Sequence, residues 1–145
     1  MITARLEAGA IRKLASKVSR WNTKLKAEVS RDLAIAAQNI RSDAVQGAPV
    51  DTGRLKGGTG IEKRAGGLNW KVFNNVRYAP YIEFGTGRRV NLSELKKAGF
   101  PASYAAQFKG KGIRQVNIRP QPFFFPAINR ETPEAFKRIR NTMKK

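Results

Sequence analysis

From Ile11 to Ala44 the apolar residues fall at Ile11, Leu14, Val18, Trp21, Leu25, Val29, Leu33, Ala36, Ile40 and Ala44, every step three or four positions long. Residues so spaced share one side only on a helix, so the pattern predicts a single amphipathic helix over residues 10–46. At ~1.5 Å per residue it would run on the order of 50 Å. A stripe of that length has to be covered by a second layer, and 145 residues suffice for one domain around one core. The run stops at Gly47-Ala48-Pro49, where a helix-weakening glycine and a proline without an N–H follow each other closely.

Beyond that break the period changes. Asp51-Thr52-Gly53 reads as an Asx-type turn in which Gly53 can take positive φ. Gly60–Arg64 and Leu68–Asn74 are short β-prone runs joined through Ala65-Gly66-Gly67, which predicts an antiparallel hairpin. Leu68, Trp70 and Val72 share one face of the second run, and that face should meet the long helix. Pro80 suits the start of a short helical turn and Gly85 its exit, which puts Tyr81 and Phe84 on one side. Residues 59–86 thus read as a hairpin and a short helical turn. Residues 88–117 read as a long basic loop with a short helix from Leu92 to Ala98, and a loop of this length in a compact domain is usually functional or mobile. Residues 118–145 read as a strand that runs into Pro120–Ala127, then a C-terminal helix with Thr132 as N-cap and Pro133 in its first turn. The expected architecture is a single α+β domain over residues 1–145. A long N-terminal helix packs on a small antiparallel sheet, with a short C-terminal helix and a long basic loop.

The side-chain inventory narrows the chemistry. The chain has no Cys and no His, which removes thiolate nucleophiles, disulfides, Cys-based metal sites and the commonest general base. The carboxylates Asp43, Asp51, Glu62, Glu83 and Glu94 are scattered singly, with no pair at a spacing suited to acid–base or two-metal work. No catalytic residue, metal ligand or cofactor is expected, and the chain reads as no enzyme. Glu83 lies between Ile82 and Phe84, where a carboxylate needs a partner, and Arg77, Arg88 or Arg119 would supply a structural ion pair. Gly53–Gly60 resembles a phosphate cradle in composition, but it lacks Gly-Lys-Thr and leads into a strand, so it reads as a flexible lead-in loop.

Charge points outward. Lys and Arg number 29 against 10 Asp and Glu, a formal +19 spread along the whole chain. Such a surface attracts nucleic acid or acidic protein faces and opposes self-association unless an interface or counterions compensate. The stretch with no apolar run near ~18 residues predicts no membrane span. Phe123-Phe124-Phe125 between Pro122 and Pro126 is the strongest interface signal. Three adjacent phenylalanines are not expected to face one core together, so at least one should be exposed in a monomer, where an oligomer contact would use it.

Ala48-Pro49-Val50-Asp51-Thr52-Gly53-Arg54-Leu55, then Tyr78-Ala79-Pro80-Tyr81-Ile82-Glu83-Phe84-Gly85-Thr86-Gly87, then Pro120-Gln121-Pro122-Phe123-Phe124-Phe125-Pro126-Ala127 resemble, in order and spacing, three signature blocks of the bacteriophage tail-completion and minor tail protein family. The third block departs from the family in having Phe125 where a basic residue is usual, and residues 88–117 match no family pattern. The resemblance implies a structural protein of a phage or prophage virion, made in the bacterial host cytoplasm. Such a protein completes or joins the tail at the head–tail interface as a ring-like homo-oligomer, with connector and tail proteins as partners. On this reading Tyr81, Phe84, Phe123, Phe124 and Phe125 lie near subunit contacts, and Arg88, Arg89, Lys109, Lys111 and Arg114 reach a neighbour, the connector or DNA. The alternative is a basic nucleic-acid-binding protein, on the strength of the charge and the interleaved aromatics.

Overall fold

A computed structural model describes residues 2–5, 23–50, 53–86, 90–97, 103, 106–109 and 118–145. The long helix, α1 (Thr23–Gly47), buries Val29, Leu33, Ala36, Ala37, Ile40 and Ala44, the same seam that the spacing of apolar residues marks. It ends at Gly47, directly before Ala48-Pro49; the part expected before Thr23 lies outside the described residues. The seam is small in its second half, where three of the buried residues are alanines, and small side chains let neighbouring elements come close.

The sheet has three antiparallel strands in the order β1-β3-β2. β2 (Thr59–Arg64) and β3 (Asn69–Asn74) form the expected hairpin, with Thr59 opposite Asn74 and Arg64 opposite Asn69. The 3-10 turn Ala65–Gly67 closes it, and Gly66 and Gly67 both have positive φ, which L side chains avoid. β1 (Ile2–Arg5), which no sequence signal announces, pairs with the other edge of β3 and puts Ile2 into the core. Val72 is fully buried and Trp70 packs beside it, so this face of β3 does meet α1, with Leu68 in a cluster around Val29 and Leu33.

The described residues form four further α-helices: α2 (Arg54–Gly57), α3 (Ala79–Phe84) and α4 (Leu92–Lys97) are short, and α5 (Phe125–Met143) lies along α1. Ala127, Ala135 and Ile139 of α5 are buried against the α1 seam. A polar rim borders this contact. Thr142 Oγ1 donates to Asp32 at 2.6 Å, Asn39 Nδ2 donates to Glu131 at 3.2 Å, Arg130 reaches Asp43 at 3.2 Å, and Arg138 pairs with Glu131.

Two expectations are corrected. Gly53–Gly60 is no loose loop: after Gly53, at φ 71°, the chain makes the helical turn α2 and buries Leu55. Residues 118–124 form no strand, and α5 begins at Phe125, well before Thr132. Pro126 occupies its first turn, Thr132 Oγ1 donates back to the Ile128 carbonyl at 2.7 Å, and Pro133 is carried inside the helix. The physical reason for the early start lies in the side chain of Glu83.

Candidate assembly site around Glu83

The second and third signature segments meet face to face. The turn α3 starts on Ala79-Pro80, where a missing proline N–H costs nothing, and buries Ala79, Pro80, Glu83 and Phe84. Gly85 ends it at φ 73°, a conformation open to glycine. A Cβ at Gly85 would stand 2.7 Å from the Ile118 carbonyl, because the chain of 118–121 runs close alongside. That closeness is hydrogen-bonded: Thr86 N–H donates to Ile118 O at 3.1 Å, Ile118 N–H donates to Thr86 Oγ1 at 2.9 Å, and Gln121 N–H donates to Ile82 O at 2.8 Å.

Docking these segments aims Glu83 at the start of α5. Its Oε2 accepts from the Phe123 and Phe124 N–H groups at 2.8 and 3.0 Å, and its Oε1 accepts from the Phe125 N–H at 2.9 Å. The first N–H groups of a helix have no partner within the helix and carry the positive end of its dipole, so a carboxylate there satisfies both needs at once. Glu83 has no exposed surface. Burial pushes its carboxyl above the usual carboxylate value, and this outweighs the three backbone N–H bonds, which pull it down. Among the described residues its partners are backbone donors and not an arginine. Arg77 and Arg119 stay exposed, and Arg88 lies outside the described residues.

The same arrangement answers the question of the three phenylalanines. Phe123 and Phe124 are buried at 2% and 0% exposure, and Phe125 is half-buried. Because Glu83 bends the backbone into the helix at this point, the three side chains leave in different directions. Phe124 and Phe125 meet edge to face with centroids 5.7 Å apart, and Phe125 lies 5.7 Å from Phe84. Phe123 and Phe124 share the interior, and Phe125 is the one of the three that keeps surface. Phe84 joins Val90 and Leu95 in a small second core, with Tyr81 half-buried at its margin.

The first signature segment completes the hub. Ala48 and Leu55 belong to the same core as Ala79, Phe123 and Phe124, and Gly47 lies against the Phe123 backbone. Asn74 anchors this side: its Nδ2 donates to Leu55 O at 2.7 Å and to Thr59 Oγ1 at 2.9 Å, while its Oδ1 accepts from Val76 N–H at 3.0 Å. Asn74 and Thr86 carry no legible signal in the sequence, because each bonds a backbone group distant along the chain.

Of the expected contact residues, the structure thus brings Tyr81, Phe84, Phe123, Phe124 and Phe125 together. Arg88, Arg89, Lys111 and Arg114 lie outside the described residues, and for Lys109 only the backbone of the turn Ala106–Lys109 is described. Among the described residues no group of carboxylates could hold a metal ion, and no helix is long and apolar enough to cross a membrane.

Compared with known proteins, residues 11–85, just over half of the chain, match the family model described as "Bacteriophage HK97-gp10, putative tail-component". No curated protein and no solved structure matches the chain.

Proposed function

The chain belongs to the HK97-gp10-like family of bacteriophage tail components, and from that premise we propose that it works in the virion by assembly and not by catalysis, completing or joining the tail at the head–tail interface as a ring of copies. One observation supports this above the others. The three signature segments converge on one buried hub whose carboxylate spends both oxygens on backbone N–H groups. A carboxylate so engaged holds a surface in shape and has no free lone pair directed at a substrate.

In the ring, Tyr81 and Phe125 present the half-buried rim of the hub to a neighbouring copy, and Phe84, Phe123 and Phe124 stiffen it from beneath. Arg88, Arg89, Lys109, Lys111 and Arg114, which lie in the chain between α3 and α5, supply contacts to the neighbour, the connector or DNA. The formal +19 keeps free copies apart, so assembly waits for an acidic partner or for counterions.

The test is incorporation. Phage particles are purified and probed for this chain, and the mass of the free chain is measured with and without head and tail partners. The reading predicts a fixed copy number in tailed particles and a mass increase with partners. A chain that never enters particles and stays monomeric with every partner would overturn it.

A further inference from the structure

Away from the Glu83 hub in sequence, the first turns of α1 pass the hairpin turn, tied to it by the Ser30–Gly67 hydrogen bond. An open groove of about 610 Å³ runs there, lined in part by Lys26, Ala27, Arg31, Ala34, Lys63 and Trp70. Its wall is held in shape: Ser30 Oγ donates to the Gly67 carbonyl at 2.8 Å and the Trp70 indole N–H donates to the same oxygen at 3.1 Å. The indole is half-buried, packed on the core cluster of Val29, Leu33 and Ile139. No carboxylate lines the groove, and among the described residues none of Lys26, Arg31 and Lys63 is in an ion pair.

We propose that this groove docks an acidic segment of another virion protein, with an apolar side chain seated over Ala27, Ala34 and Trp70 and carboxylates against Lys26, Arg31 and Lys63. For the class of partner, the proposal rests on the tail-component reading. Charge complementarity selects the occupant. Residues 6–22 and 98–117 of this chain are themselves net basic, and a second copy carries the same +19, so neither can neutralise three cations here. A nucleic acid strand fits less well than a peptide. The floor is aliphatic on two sides, and the Ser30 hydroxyl and the indole N–H, which would read a base edge, are both committed to Gly67. An aliphatic anchor flanked by carboxylates needs no such donors, and long cationic side chains suit carboxylates at a groove rim.

The full-length chain would be titrated with a short labelled peptide of alternating Asp and Glu around a central Leu, and in parallel with an oligo-dT strand. The peptide should bind, and the paired change Arg31→Glu with Lys63→Glu should weaken it on the order of tenfold or more. Lys96→Glu with Lys97→Glu, two exposed side chains of α4 and an equal change in charge, should alter it by about twofold or less. Ala27→Leu fills the floor without touching charge and should also weaken the peptide. Melting curves matched to the unaltered chain show that the variants fold. Equal loss from both charge pairs, no peptide binding at low salt, or groove-dependent binding of oligo-dT in place of the peptide would each overturn the docking proposal. Entry of the unaltered chain into particles is scored separately, so a failed groove leaves the tail-component reading standing, and exclusion from particles leaves the binding data interpretable.

Discussion

Two of the carboxylates that meet α5 do so in opposite ways. Glu83 reaches its first turn from inside the core and accepts three backbone N–H groups with no exposed surface. Asp43 meets the same helix at the rim, through Arg130, whose side chain is 71% exposed. Both contacts look like electrostatic fasteners between α5 and the rest of the chain. Only the first is shielded from water, and only the first would leave several donors unsatisfied if it were lost. The difference sets a buried acid that holds backbone donors apart from a surface pair that high dielectric weakens.

That contrast would be broken most severely by Glu83→Ala. It strands three N–H groups, two of them on buried residues, and should cost on the order of 3–5 kcal/mol in unfolding free energy by denaturant titration. A loss below about 1 kcal/mol would mean that water replaces the carboxylate at little cost. Gly85→Ala attacks the same hub through the backbone. It combines a positive φ with a Cβ 2.7 Å from a carbonyl oxygen, and a destabilisation of about 1–3 kcal/mol is expected from the same measurement.

A gentler probe is pH. The folded chain holds the Glu83 proton more tightly than the unfolded chain, whose carboxyl titrates near the ordinary 4.5. The stability linked to that proton is complete below this value and is lost as pH rises through the higher folded value. Glu83→Gln has no proton to release, so its stability deficit relative to the unaltered chain should narrow as pH climbs through the mildly acidic range. A deficit that widens over that range would reverse the sign. At the other pole of the comparison, Arg130→Ala should change stability by less than about 0.5 kcal/mol, because an exposed pair gains little in high dielectric. A larger loss would show that the rim contributes more than its exposure suggests.

How far the chain could be read in advance follows the same line between local and distant causes. The α1 seam and the hairpin were legible because periodicity and paired glycines act within a few residues. Pro80 and Gly85 marked the limits of α3 for the same reason. β1 was not legible: it is four residues long and owes its state to pairing with β3, far along the chain. The start of α5 was misplaced because Pro-Gln-Pro-Phe-Phe-Phe-Pro looks extended in isolation, while its cap arrives from Glu83, forty residues earlier. Glu83 points in sequence to an Arg partner, because sequence displays side chains and hides backbone donors. Composition alone also does not say which of the three phenylalanines keeps surface; the structure assigns that place to Phe125.

The most direct test is residue-resolved amide hydrogen exchange at Phe123, Phe124 and Phe125 in the unaltered chain and in Glu83→Gln. If the Glu83 side chain holds the start of α5, these amides are protected in the unaltered chain. In the variant they lose protection by tenfold or more, while Val72 in the central strand keeps its rate relative to global unfolding. Unchanged protection at all three positions in Glu83→Gln would contradict it.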